Sequence, residues 1–129
     1  MNNSLQRILL IEDEPDIQEI TKSALELVGG FEVETANNGF EGLEKAQKSV
    51  PDLILLDMMM PGMDGITVFE ELRKLESARH IPVIFMTAKV QPNELKTYIT
   101  LGAIDVISKP FDPMLLSGQV IQIWNRFNG

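Results

Sequence analysis

The sequence predicts an α/β domain, a doubly wound parallel sheet of five short strands with helices on both faces. Three observations carry this. Short apolar runs recur, and those at 7–11 (RILLI) and 53–56 (LILL) are unbroken, the pattern of strands covered on both faces. Between successive runs the apolar residues fall at helical spacing. The two kinds of segment alternate five times with no linker, low-complexity tract or further repeat, which points to one open sheet.

RILLI ends in three acids, Glu12, Asp13 and Glu14, and Pro15 suits a first helical turn. Ile17, Ile20, Ala24, Leu27 and Val28 form the expected apolar side of that helix, with Lys22, Ser23 and Glu26 left mainly to solvent, and Gly29-Gly30 stops it. Residues 31–36 (FEVETA) alternate with period two, as a strand nearer an edge does. After the Asn37-Asn38-Gly39 turn, Phe40, Leu43 and Ala46 supply a short apolar face, and Glu41/Lys45 and Glu44/Lys48 are spaced for helical ion pairs. The third strand, 51–57, stops at Asp57, and three methionines, Pro61-Gly62 and Asp64-Gly65 mark a loop.

Ile66, Phe69, Leu72 and Leu75 mark a third helix, and residues 82–86 (PVIFM) a fourth strand running into Thr87-Ala88-Lys89. Pro92 opens a helix with Leu95, Tyr98, Ile99 and Leu101 on its apolar side, ended by Gly102. The fifth strand is the short 104–107 run. After Ser108-Lys109-Pro110-Phe111 the last helix carries Leu115, Leu116, Val120, Ile123, Trp124 and Phe127.

Composition narrows the function. A chain of 129 residues with 44% hydrophobic residues and mean hydropathy near zero is expected to fold as one soluble domain, read here as residues 5–128. No apolar run approaches the ~20 residues of a membrane helix, and residues 1–7 lack the pattern of a signal peptide; a cytoplasmic protein with no membrane contact is expected. The absence of cysteine excludes disulfides and thiolate metal sites. A net charge of -8 argues against direct nucleic-acid binding, which depends on neutralising phosphates with Lys and Arg. Any control of transcription would need a separate DNA-binding partner or domain.

The chemistry-bearing residues stand at strand ends: Glu12 and Asp13 after the first, Asp57 after the third, Thr87 after the fourth, Lys109 after the fifth. In open α/β sheets that edge is where ligands bind. The first and third strands are the most apolar and should be central neighbours, roughly 4.8 Å apart, which brings Asp13 and Asp57 together. Two carboxylates at ~4 Å repel by about 4 kcal/mol at an effective dielectric of 20, so a cation has to compensate: Lys109, a divalent ion, or both. An all-oxygen site without His or Cys suits Mg²⁺ or Mn²⁺.

The ordered set of Glu12-Asp13, Asp57 followed by MMMPGMDG, Thr87-Ala88 and Lys109-Pro110-Phe111 resembles the receiver domain of two-component response regulators, over nearly the whole chain, 7–127. The resemblance implies a flavodoxin-like (βα)5 fold with strand order 2-1-3-4-5. It implies that Asp57 accepts a phosphoryl group from the phosphohistidine of a histidine kinase or histidine phosphotransfer protein. Glu12, Asp13, Asp57 and the backbone carbonyl of Met59 would hold Mg²⁺, or Mn²⁺ in its place. Lys109 would pair with Asp57 and then with a phosphoryl oxygen, on a cis Lys109-Pro110 peptide, and Thr87 would donate its hydroxyl to the phosphoryl and draw its loop inward. The protein would catalyse only its own phosphorylation and slow autodephosphorylation, and would switch the binding of an unidentified downstream protein or output domain. Val106 stands where many receivers carry Tyr or Phe, whose ring moves with the threonine. Valine has no ring to rotate, so output is expected through the loop after Thr87 and the helix of Leu95 and Tyr98.

Alone, Asp13 before Pro15 reads as a helix cap, Lys109 as a solvated lysine, Thr87 as a strand residue and His80 as solvated. Met58, Met59, Met60 and Met63 invite a copper(I) reading, but packing in an irregular loop explains them better. A flavodoxin-type nucleotide binder needs a phosphate-welcoming first loop, which Glu12-Asp13-Glu14 is not. An aspartyl-phosphate phosphohydrolase would carry an Asp two residues beyond its nucleophile, where this chain has Met59. The remaining rival is a receiver-like interaction module that works independently of phosphorylation.

Overall fold

A computed structural model describes residues 4–128. Its elements run β1 (Arg7–Ile11), α1 (Pro15–Leu27), β2 (Glu32–Ala36), α2 (Gly39–Ser49), β3 (Leu53–Asp57), α3 (Gly65–Lys74), β4 (Val83–Thr87), α4 (Pro92–Leu101), β5 (Asp105–Ser108) and α5 (Pro113–Asn128). All five strands are parallel, in the order β2-β1-β3-β4-β5. The apolar strands β1 and β3 are adjacent at the centre and β2 is an edge, as expected. Every strand therefore points its carboxyl end the same way, and the edge carrying Glu12, Asp57, Thr87 and Lys109 is one edge.

Alternation within each strand divides the core in two. Leu9, Ile11, Ile54, Leu56, Val83 and Phe85 meet α2, α3 and α4, while Ile8, Leu10, Leu53, Leu55, Ile84 and Met86 meet α1 and α5. Both faces are covered, which is why these strands read as unbroken apolar runs.

Helix α3 buries Phe69 and Leu72 as expected, whereas α1, α2 and α5 differ in part from expectation in the residues they bury. In α1 the buried residues are Thr21, Ala24 and Leu25, whereas Leu27 is 86% exposed and Ile20 and Val28 are exposed as well. Ile20, Leu27 and Val28 of the expected stripe turn away from the sheet and line a cleft of about 520 Å³ against Pro113 and Met114 of α5, while Ala24 of the same stripe is buried. Two overlapping stripes share this helix, and the approach of α5 selects between them. Phe40, Leu115, Phe127 and Ile99 are likewise exposed: α2 presents Gly39, Gly42 and Ala46 inward and α5 presents Leu116, Ser117, Val120 and Ile123. The Glu41/Lys45 and Glu44/Lys48 pairs form, at 3.3 and 3.2 Å.

One glycine matters directly to the site. A Cβ on Gly65, the first residue of α3, would lie 2.7 Å from Met58 Cα and 2.9 Å from the Asp57 carbonyl oxygen. The start of α3 is thus pressed against the backbone that carries Asp57. Asp64 caps the helix there, accepting from the Thr67 N–H at 2.9 Å.

Candidate functional site

Asp57 is the last residue of β3, 2% exposed, and its backbone is held by β4. Its register partner on β4 is Met86, and the following N–H, of Met58, donates to the Met86 carbonyl at 3.1 Å. Its Oδ1 accepts from the Met59 N–H at 3.1 Å. Glu12, one step beyond β1, is 1% exposed and donates its backbone N–H to the Ala36 carbonyl at 3.0 Å, carrying the β1–β2 ladder one residue further. Asp13 is half-buried, and α1 begins without a side-chain cap, so the cap reading of Asp13 fails.

Carboxylate oxygens of Glu12, Asp13 and Asp57 lie within 4.8 Å of one another. Like charges at that spacing repel by about 3 kcal/mol per pair at an effective dielectric of 20. Lys109 offsets part of it: its Nζ lies 3.1 Å from Glu12 Oε1 and 3.3 Å from Asp57 Oδ1. Its backbone N–H donates to the Thr87 carbonyl at 2.9 Å, and its peptide bond to Pro110 is cis.

These charges perturb one another. Burial pushes the Glu12 carboxyl up to about 7; the Glu14 N–H, 3.1 Å from Oε2, and Lys109 oppose the rise, and the charge of Asp57 adds to it. Burial alone would lower Lys109, but the charges of Glu12 and then Asp57, with their hydrogen bonds, outweigh it and hold the ammonium above its ordinary value.

Thr87 is fully buried at the end of β4, one residue past the partner of Asp57. Its hydroxyl accepts from the Lys89 N–H at 3.0 Å, tying it to its own loop. That loop leads into α4, which buries only Tyr98; the Tyr98 ring meets Phe85 edge-on at 5.5 Å, and Phe85 meets Phe69 at 5.2 Å. Val106 is the register partner of Phe85 and packs against the same cluster.

Of the residues singled out in the sequence, Glu12, Asp13, Asp57 and Lys109 come together, Thr87 stands on the adjoining strand end, and Met59 contributes its N–H and has an exposed side chain. The donor set fits a hard divalent cation: three carboxylates and no imidazole or thiolate in the group. Sequence reasoning missed the nearer partner of Lys109, which is Glu12, and the hydrogen bonds that Gln18 makes beneath the acids. No local pattern marks either.

The model of the response regulator receiver domain matches residues 8–121. The chain belongs to the receiver family. Its relatives include a probable transcriptional regulator ycf27 of the alga Pyropia yezoensis, 37% identical over 98% of this chain and 50% of that protein. The alkaline phosphatase synthesis transcriptional regulatory protein PhoP of Bacillus subtilis is 37% identical over 94% of this chain and 49% of its own length. The chain thus spans about half the length of the curated relatives it matches. Among solved structures, the chemotaxis response regulator CheY4 of Vibrio cholerae superposes with a TM-score of 0.84 at 29% identity, covering 93% of this chain and 99% of that one. A CheY-like receiver domain of Methanospirillum hungatei gives 0.82 at 30% identity, covering 97% and 98%. The fold is that of a receiver, and receivers serve two-component signal transduction. Among the described residues no helix is long and apolar enough to cross a membrane.

Proposed function

We propose that residues 5–128 form one receiver domain in which Asp57 is the phosphoacceptor, supplied by a histidine kinase or a histidine phosphotransfer protein. The observation that carries this is the ammonium of Lys109 held between Glu12 and Asp57 inside a three-carboxylate cluster. An acidic pocket built for structure alone would pair its charges one to one. This one keeps a net negative charge and a buried nucleophile at the strand ends. Glu12, Asp13, Asp57 and the backbone carbonyl of Met59 would hold Mg²⁺ or Mn²⁺, and the bound cation supplies charge neutralisation between the acids and an anionic phosphoryl donor.

An Asp57 carboxylate oxygen attacks phosphorus; the O–P bond forms as the P–N bond to the donor imidazole breaks, and the imidazole nitrogen keeps the electron pair. The Met59 N–H, already on Asp57 Oδ1, holds the carboxylate in one orientation. Lys109 remains beside it to meet charge on the phosphoryl oxygens. The Thr87 hydroxyl leaves the Lys89 N–H and donates to a phosphoryl oxygen, drawing the loop before α4 inward. Since α4 is seated by Tyr98 on Phe85 and Val106 has no ring to move, the signal leaves through α4 to a downstream protein or output domain. Nucleic acid is reached through such a domain, and the chain acts on no substrate other than itself, with slow autodephosphorylation.

The test is mass spectrometry after incubation with acetyl phosphate and Mg²⁺. One added phosphoryl group is expected, none without cation and none in Asp57→Asn. An unchanged mass in a folded, cation-binding sample overturns the reading in favour of a phosphorylation-independent interaction module.

A further inference from the structure

Glu12 and Asp13 lie on a short segment between β1 and α1 whose ladder bond among the described residues is the Glu12 N–H to Ala36, and the three carboxylates repel one another. The two ends of the site are held differently. Glu12 has Lys109 and the Glu14 N–H, and Asp57 has Lys109 and the Met59 N–H. The Asp13 carboxylate has neither a hydrogen bond nor an ion pair among the described residues. Its direction is set through its backbone.

Two side chains hold that backbone: Glu12 Oε2 accepts from the Glu14 N–H of the peptide after Asp13, and Gln18 holds the peptide before it. Gln18, the fourth residue of α1, donates from Nε2 to the Glu12 carbonyl at 2.9 Å and to Asn37 Oδ1 at 2.9 Å, with the Ala36 carbonyl 3.4 Å away. All three partners are oxygen acceptors, and only the NH₂ end of the amide can serve them. The Glu12 carbonyl belongs to the planar peptide whose other end is the Asp13 nitrogen, so holding that oxygen fixes the plane from which the Asp13 side chain departs. The same NH₂ ties this plane to the end of β2.

We propose that Gln18 is a positioning residue for the acidic pocket: it clamps the Glu12–Asp13 peptide so that Asp13 stays turned toward Asp57 for cation binding. The proposal rests on the cation-dependent reading above. Residues that orient metal ligands from behind typically change metal affinity by about 10- to 100-fold when removed.

The probe is Mn²⁺, titrated into the whole chain and followed by loss of the free-ion electron paramagnetic resonance signal, with folding checked by circular dichroism. Wild type is expected to bind and Asp13→Asn to lose binding; failure of wild type to bind overturns the cation reading and this inference with it. Given wild-type binding, Gln18→Met, similar in shape without a donor, is expected to weaken Mn²⁺ about tenfold or more. Gln18→Asn, polar but one methylene short of the carbonyl, should weaken it in the same sense. Leu25→Val, on the buried side of the same helix, should lower the melting temperature and leave the affinity alone. A folded Gln18→Met or Gln18→Asn that binds Mn²⁺ within about twofold of wild type overturns the inference and leaves the cation reading standing. A Leu25→Val loss as large as that of Gln18→Met overturns it too, by reducing Gln18 to general support of α1.

Discussion

Lys109 Nζ lies 3.1 Å from Glu12 Oε1, closer than the 3.3 Å to Asp57 Oδ1, although 97 positions separate the lysine from the glutamate. The ammonium is shared, so it serves two acids at once. Lys109→Ala should leave three carboxylates to a divalent cation alone: Mg²⁺ binding by calorimetry is retained or strengthened, and the metal-free protein loses stability in urea at alkaline pH. If Lys109 also meets the phosphoryl group, the variant shows no chemical-shift change in α4 on addition of beryllium fluoride, a phosphoryl mimic. A wild-type response would remove that role.

The raised Glu12 carboxyl gives a pH dependence with a definite sign. Between its unfolded value of 4.5 and its folded value of about 7, the metal-free folded chain carries more protons at Glu12 than the unfolded chain. The contribution of Glu12 to stability is therefore full at low pH and is lost as pH rises through that window. Glu41, held low chiefly by the Asn37 N–H, and Asp64, held low by the Thr67 N–H, act in the opposite direction at lower pH. The difference between wild type and Glu12→Gln isolates the site: urea denaturation should show a more negative slope against pH in wild type. A bound divalent cation competes with the same proton, so Mg²⁺ affinity should rise with pH up to about 7. Parallel stability curves for the two proteins would refute this.

Thr87 has its hydroxyl engaged by the Lys89 N–H, and α4 behind that loop buries one residue, Tyr98. Thr87→Ala should accept phosphate at Asp57 at a rate within a few-fold of wild type yet fail to shift α4. Tyr98→Leu should do the same while loosening α4. Hydrogen exchange along 92–101, with and without beryllium fluoride, reads both; an α4 that still responds in Thr87→Ala would assign the coupling elsewhere.

Gly65 meets the Asp57–Met58 backbone at distances that leave no room for a methyl group. Backbone cannot swing aside as a flexible side chain can. Gly65→Ala should cost on the order of 1–3 kcal/mol and, because the displaced segment is the backbone of Asp57 itself and of Met58, should also slow phosphorylation of Asp57. A variant as stable and as fast as wild type would show that α3 shifts freely at its start.

Strand identity, the parallel sheet and the set of acids at its carboxyl edge were legible because they are written locally: an apolar run, its abrupt end in a carboxylate, and a turn signal are all visible within a few residues. The neighbouring of β1 and β3 also followed, since the most apolar strands are those with both faces covered. The sides of the helices were less legible. Ile20, Leu27 and Phe40 fit helical spacing as well as Leu25 and Gly42 do, and the choice is made by what arrives from elsewhere, α5 in one case and Ile11 in the other.

By itself, then, the sequence determined which side chains stand at the strand ends and what chemistry they share, because a strand's period and its stop are properties of consecutive residues. Only the tertiary structure decided that Lys109 favours Glu12, that Gln18 grips the peptide before Asp13 and that Gly65 abuts the backbone of Asp57. Each of these joins separate elements, and electrostatic and steric energies depend on distance in space, which no spacing along the chain encodes.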